Sequence, residues 1–272
     1  MMDTLLIHVH VPKCAGITVE KHFEYELGST GFWKPRRRTR KLPLGLLGYK
    51  YNPRLPGPAD QIRAISGHFA GSSLAKLFAN RRIVRSIILR EPQSLMLSWY
   101  NFRVMRYMLK GQKPHSFSLF MRSMRMNPVS HFLLERWVEL PWVRMSRMTD
   151  DMKAAALDKT LKTFDYVVDI SETDILIASL SAQIGIADCA PRRNTAEQIQ
   201  QKTGWELIGL DDLSEQDRFL LRSRTSLDRY LWRRWVLKEN VVFDHSNATG
   251  FLFSELVRPS YQLQRRAVGR FG

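Results

Sequence analysis

The sequence predicts an α/β fold, a mainly parallel central sheet flanked by helices. Apolar runs of strand length recur along the 272 residues, and segments of helix length separate them. The first run, Leu5 to Val11, is mostly apolar at both odd and even positions, as in a strand covered on both faces. A glycine-containing turn then leads into a helical pattern with no linker, the junction expected of a βα unit.

Each element follows from its own residues. After the first strand a helix is predicted from Thr18 to Leu27. Residues 34–58, "KPRRRTRKLPLGLLGYKYNPRLPGP", carry five prolines and a dense block of Arg and Lys, and read as a basic surface excursion. "QIRAIS", Gln61 to Ser66, is a second strand running into Gly67-His68-Phe69. "IVRSIIL", Ile83 to Leu89, is the clearest strand, and Arg90-Glu91-Pro92 closes it with a proline placed to open a helix to Leu109. A helical middle rich in Met, Trp and Arg extends to Lys162. Phe164 to Ser171 forms a further strand, and Thr173 to Ile184 a helix. Helical patterns at Ser214–Arg224 and Ser226–Leu237 precede a basic tail at about 258–272, read as a flexible end. There is no internal repeat or heptad array, so the chain reads as one domain over 1–272, with strand order left open.

Composition sets the class. At 44% hydrophobic residues the chain can bury a globular core, and no uncharged apolar run reaches the roughly 18 residues of a spanning helix. The chain enters a strand within a few residues of Met1, so a cytoplasmic protein without a signal peptide is expected. Cys14 and Cys189 have neither metal-ligand spacing nor the pattern of a disulfide framework, which favours reduced thiols. A formal charge of +16 favours anionic partners: nucleotides, acidic glycans, nucleic acid or an anionic membrane face.

The loop Lys13-Cys14-Ala15-Gly16-Ile17-Thr18 can surround an anion, because amides at a helix start point outward with partial positive charge. Gly16 permits close approach, Thr18 offers a hydroxyl, and Lys13 offers an ammonium. An ordinary βα turn with a chance lysine is the alternative. In the Walker pattern Gly-Lys-Ser/Thr closes the loop and the hydroxyl holds magnesium; here the lysine precedes the glycine. The order suits a phosphate neutralised by side chains alone.

"HVPKCAGIT", His10 to Thr18, resembles the 5′-phosphosulfate loop of sulfotransferases that use 3′-phosphoadenosine 5′-phosphosulfate (PAPS), in the carbohydrate branch that includes heparan sulfate 2-O-sulfotransferases. That branch commonly reads His-Ile-Pro-Lys-Thr-Ala-Gly-Thr-Ser; this chain departs at Val11, Cys14, Ile17 and Thr18, the last keeping the hydroxyl. The resemblance implies a P-loop-like three-layer fold, PAPS as sulfuryl donor, adenosine 3′,5′-bisphosphate as product and no required metal. It makes the acceptor a carbohydrate-type hydroxyl, on a polysaccharide or glycolipid, and gives Lys13 a catalytic role at the leaving group.

Further motifs extend the resemblance. The family places an arginine at a strand end and a serine eight residues on against the 3′-phosphate, and "LREPQSLMLS" supplies Arg90 and Ser98 at that spacing. By itself, Arg90 could equally form a salt bridge at the helix start. A Gly-His segment between the two anion sites carries the family's proposed general base; here it is Gly67-His68 in "ISGHFAGSSL". Imidazole suits proton removal near neutral pH, although a histidine after a strand is often structural. Heparan-type enzymes often carry another histidine two positions earlier, where this chain has Ser66. "FDYVVDISETDILIASLSAQIGI" is similar to a later strand and helix of the family. "PRRNTAE" matches its Arg/Lys-x-Asn loop, making Arg193 and Asn194 candidate cofactor contacts, and "TSLDRYLWRRW" its Leu-Asp-x-x-Leu-Tyr helix, with Trp232 in place of Tyr.

Two other functions compete. A P-loop nucleotide kinase would need the closing Gly-Lys-Ser/Thr, which is absent. A nucleic-acid-binding protein is suggested by "KPRRRTRK" and the charge, but no aromatics interleave the basic block as stacking platforms, so no specific nucleic-acid partner is expected. Beside a sulfotransferase site, that block would capture an acidic acceptor. The tail "RPSYQLQRRAVGRFG" reads either as weak contact with the inner face of an anionic membrane or as a fraying end. The sequence does not define an oligomeric state.

Overall fold

The computed structural model of the chain describes residues 3–35, 55–188, 201, 204–243, 258 and 262. In chain order the elements begin β1 (Thr4–Val9), α1 (Gly16–Gly31), β2 (Phe32–Trp33), β3 (Ala64–Gly67), β4 (Arg82–Leu89), α2 (Pro92–Met108), α3 (Phe117–Ser123) and α4 (Pro128–Phe132). They continue with α5 (Trp142–Ser146), α6 (Asp150–Leu161), β5 (Tyr166–Asp169), α7 (Thr173–Ile184), α8 (Glu215–Arg224) and α9 (Ser226–Trp235). Short 3-10 turns lie at Ser72–Phe78 and Ile170–Glu172, and a π-helical turn at Leu133–Trp137.

The chain divides into two compact units. One comprises Met1–Arg90, Phe132–Arg193 and Arg233–Asn240; the other comprises Glu91–His131, Asn194–Trp232 and Val241–Gly272.

The first unit holds a five-stranded sheet in the order β2-β3-β1-β4-β5, with every pairing parallel. β1 is central, in register with β3 (Val9 opposite Gly67) and with β4 (Val9 opposite Ile87). Leu5, Leu6, Ile7 and Val9 are all buried, which is why this strand reads as a continuous apolar run rather than an alternating one. α1 and α7 pack on the sheet and on each other. Buried Val19 and Phe23 come from α1, and Leu176, Ile177 and Leu180 from α7. The two helices are also joined by a hydrogen bond between His22 Nε2 and Ser181 Oγ, 2.8 Å.

The order matters for function. After β1 the chain builds β2 and β3 on one side, then crosses to build β4 and β5 on the other. In parallel sheets the crevice at such a reversal, beyond the carboxyl ends of the strands, is where ligands bind.

The second unit is helical. Buried Leu95, Met96 and Val104 of α2 pack in its core, as do Phe117 and Phe120 of α3. Tyr100 donates to the His115 carbonyl at 2.8 Å, and its ring lies 5.3 Å from Phe117 and 5.5 Å from Phe120. Asn101 holds residues near 208 by a reciprocal amide pair: its Nδ2 donates to the Ile208 carbonyl (3.0 Å) and its Oδ1 accepts from the Ile208 amide (3.2 Å). Two helix starts cap each other. Asp228 accepts from the amides of Val129 (3.0 Å) and Ser130 (2.8 Å) and from the Ser130 hydroxyl (2.6 Å). Asn127 Oδ1 accepts from the amide of Leu227 at 2.9 Å, and the Asn127 amide donates to the Arg224 carbonyl at 2.7 Å.

Most predicted elements are present, with shifted ends. The first strand stops at Val9 rather than Val11, because the Val11 amide turns back onto the Val9 carbonyl (3.1 Å). The strand predicted at 61–66 is Ala64–Gly67; the Gln61 amide is in a turn with the Pro58 carbonyl (3.1 Å). The strand predicted to reach Ser171 ends at Asp169, whose side chain caps the 3-10 turn that follows. β2 was not predicted. Residues 36–54, most of the basic excursion, lie outside the described residues, as does all but Arg258 and Gln262 of the tail. Among the described residues no helix is long and apolar enough to cross a membrane.

Candidate functional site

Three predicted segments emerge at one edge of the sheet, because they follow the carboxyl ends of three adjacent parallel strands. The Lys13 loop follows β1, Gly67-His68 ends and follows β3, and Arg90 follows β4.

The loop has an unusual backbone. Lys13 (φ 67°) and Ala15 (φ 53°) are both left-handed, and Cys14 between them is not. Such alternation turns successive amides toward one concave side, the form of an anion-binding nest. Non-glycine residues adopt φ > 0 at a cost, so two in three positions mark a conformation held for a purpose. Ala15 caps α1 without any side-chain hydrogen bond. The Cys14 amide bonds the Val11 carbonyl (3.3 Å) and the Thr18 amide the Ala15 carbonyl (2.8 Å). Among the described residues, no acceptor engages the amides of Ala15, Gly16 or Ile17, the donors a bound anion would meet. Cys14 is a buried free thiol, Thr18 is buried, and Ile17 is exposed.

Gly16 has a reason the sequence did not show. A Cβ there would sit 2.1 Å from Cδ2 and 2.4 Å from Cγ of the His10 imidazole. The glycine is required by the ring lying across it, where the sequence suggested close approach of an anion.

Lys13 is partly buried beside Arg90. Burial lowers its pKa from the usual lysine value to about 8, the Arg90 charge pushes the same way, and Cys14 opposes. Two cations converging between the ends of β1 and β4 make a local positive field at the nest. The Glu91 carboxylate caps α2, accepting from the amides of Gln93 (3.0 Å) and Ser94 (2.7 Å). Ser98 lies half-buried on α2, in the second unit. Arg193 and Asn194 lie outside the described residues.

His68 is fixed by a single bond. Its Nδ1 is 2.8 Å from the His10 carbonyl oxygen, which can only accept, so Nδ1 carries the proton and Nε2 is left as the basic nitrogen of the neutral ring. Burial lowers its pKa, and the nearby His10 acts in the same direction. The two imidazoles lie 4.1 Å apart between centroids, and Phe132 meets His68 edge-on at 6.2 Å.

Sequence reasoning missed the support behind this histidine. His10 Nδ1 pairs with Glu20 Oε1 at 2.6 Å, both nearly fully buried, and Lys34 bonds the other carboxylate oxygen. Burial alone would raise the Glu20 pKa; the bonds and charges of His10 and Lys34 overcome it and bring it down to about 2. So the chain has a second histidine beside His68, from the β1 end instead of from position 66, where Ser66 stands. His10 stands at the head of the loop motif, just past the end of β1, so a histidine near the site was visible in the sequence, but its contact with His68 was not. Lys34, read as the first residue of a basic excursion, instead holds this carboxylate.

His68 also lines an open cleft of about 600 Å3, together with Glu20, Trp33, Lys34, Pro56 and Phe69 among others. Aromatic faces and charged groups in one concavity suit a polar, hydroxyl-bearing molecule. Among the described residues no group of three or more His, Cys, Asp or Glu side chains is placed to hold a metal ion.

No protein-family profile matches the sequence, and no curated protein does. Matching solved structures include a sulfotransferase from Alicyclobacillus acidocaldarius, at 14% identity over 86% of this chain and 100% of that one, with a TM-score of 0.34. A likeness at that level fixes neither fold nor activity.

Proposed function

We propose that this protein is a PAPS-dependent sulfotransferase that transfers a sulfuryl group to a hydroxyl of a carbohydrate-type acceptor, on a polysaccharide or glycolipid. The observation that supports it is the convergence, at the carboxyl edge of β1, β3 and β4, of an amide nest with Lys13, a tautomer-fixed histidine and Arg90. PAPS supplies a sulfuryl group whose bond to the 5′-phosphate oxygen breaks as a bond to the acceptor oxygen forms.

This chain's own groups have distinct tasks. The uncapped amides of Ala15, Gly16 and Ile17, with Lys13, would stabilise negative charge growing on the departing phosphate oxygen. Nε2 of His68 would take the acceptor proton, with Nδ1–H held on the His10 carbonyl so that the ring need not reorient. Arg90, together with Ser98, Arg193 and Asn194, would bind the nucleotide away from the reacting sulfur and hold it in register. The cleft lined by His68 and Trp33 would seat the acceptor. A soluble protein working on the cytoplasmic side, with its tail near a membrane face, remains part of this proposal.

Thermal-shift measurements test the donor: adenosine 3′,5′-bisphosphate should raise the unfolding temperature, while ATP with magnesium should not. The reverse result would replace this reading with a nucleotide kinase. Transfer from PAPS to a panel of polysaccharide and glycolipid acceptors tests the reaction itself.

The pH dependence follows from the two shifts. His68 acts as a base only when neutral, and its lowered pKa places the acid limb of kcat/KM below pH 6.5. Lys13 acts only when charged, so the alkaline limb falls near pH 8 in the free enzyme. The expected bell should lose its acid limb in His68→Gln; an unchanged profile removes His68 as base.

A further inference from the structure

The second unit carries a cationic cleft of its own. It encloses about 230 Å3 and is lined by Arg103, Arg106, Tyr107, Lys110 and Gln112. Positions 103, 106, 107 and 110 fall at i, i+3, i+4 and i+7, one face of α2 continued into its closing turn. Gly111, at φ 65°, reverses the chain there, and the Gln112 amide folds back onto the Tyr107 carbonyl at 2.9 Å, bringing Gln112 to the same wall.

Basic residues near a helix C-terminus often serve only to balance its dipole. Here the closing turn already engages those carbonyls: Met105 accepts from the Leu109 amide (2.9 Å), Tyr107 from Lys110 (2.9 Å), and Met108 from Gly111 (2.9 Å). Among the described residues no carboxylate pairs with Arg103, Arg106 or Lys110. Arg106 is held against the Phe102 ring, 5.9 Å from its centroid. Arg103 is half-buried, and burial lowers its pKa; Tyr107 opposes the shift, and the Arg106 charge adds a smaller push in the same direction as burial. Three like charges crowded into one concavity, with no carboxylate paired to them among the described residues, repel one another unless an anion joins them.

We infer that the cleft lined by Arg103, Arg106, Tyr107, Lys110 and Gln112 binds a phosphate or sulfate ester group of a soluble anionic ligand. Two guanidinium forks and an ammonium match the oxygens of a tetrahedral oxyanion, and the Tyr107 hydroxyl and Gln112 amide add neutral donors. The volume lies below the roughly 300–1,000 Å3 of pockets that hold whole ligands, so the cleft takes a headgroup and leaves the rest of the molecule outside.

Calorimetric titration with inorganic phosphate and inorganic sulfate tests it, using wild type, Arg106→Gln, Arg103→Lys and Lys13→Ala. Arg106 is exposed, so its substitution leaves folding intact, as unfolding curves should show. One site should persist in Lys13→Ala, weaken about tenfold in Arg106→Gln, and weaken less in Arg103→Lys, where charge stays but the fork is lost. Binding lost in Lys13→Ala but unchanged in Arg106→Gln overturns the inference, since the anion is then in the β1 loop. Binding to phosphatidylserine vesicles with no response to either free anion overturns it in favour of a membrane surface. None of these readouts involves sulfuryl transfer, so the site stands or falls separately from the reaction.

Discussion

Two kinds of helix start in this molecule differ in how their first amides are satisfied. At the α4 and α9 starts, Asp228 and Asn127 exchange caps, so the first-turn amides of each helix find an oxygen on the other segment. At α1 the cap residue is Ala15, which offers no side-chain acceptor, and the chain bends through two left-handed residues, Lys13 and Ala15. The residue types that usually cap helices, Ser, Thr, Asp and Asn, carry a side-chain acceptor that Ala15 lacks. The contrast within a single chain argues that the open terminus reflects function rather than loose design.

The largest test of that contrast is Lys13→Ala. If the α1 terminus stabilises a leaving group, turnover should fall about 100- to 1,000-fold while adenosine 3′,5′-bisphosphate still binds, as measured by rate assay and thermal shift together. A purely structural loop would lose stability and keep its rate. Gly16→Ala comes next. Its Cβ would collide with a His10 ring that Glu20 holds in place, so about 1–3 kcal/mol of stability should be lost in denaturant unfolding, with activity falling as His68 loses its carbonyl partner. Near-wild-type behaviour would show that His10 is free to swing away.

On the capped side, Asp228→Ala should cost about 2 kcal/mol, from two backbone caps and the Ser130 bond, with no direct effect on chemistry. The smallest effect is a slope. Burial pushes the Asp228 carboxyl up to about 6, against the bonds from Ser130 and Val129. A folded-state pKa above the unfolded one means the folded protein binds more proton in between, so stability should decline as pH rises from about 4 through 6. Asp228→Asn cannot titrate and should flatten that part of the curve; an unaltered slope would assign it to other groups.

The sequence made the frame of the molecule legible and its fine support much less so. β1, β4 and α7 announced themselves through long apolar runs, and α7 matches its predicted limits, Thr173 to Ile184, its end set by Gly185 in the left-handed region, whose amide bonds the Ser181 carbonyl. β2, only Phe32 and Trp33, is too short for any periodicity to register. The Lys13 loop could be picked out by residue type, yet nothing in Lys or Ala foretells φ > 0 at positions 13 and 15. The pairing of His10 with Glu20 depends on that bend, since it brings together a strand end and a helix face across the turn. Long-range placement also decided the role of Lys34, whose neighbours in sequence suggested a solvated basic stretch.

The position of β1 bears on how the protein is made. Its two ladder partners lie far along the chain, at Ala64–Gly67 and Arg82–Leu89. A nascent chain that has emerged only as far as α1 therefore holds Leu5–Val9 as an unpaired apolar strand, a species prone to aggregation until β4 arrives. The concave loop at residues 13–17 hangs from that strand, so its shape waits on closure of the sheet, and any anion binding proposed for it would be a late event in biogenesis.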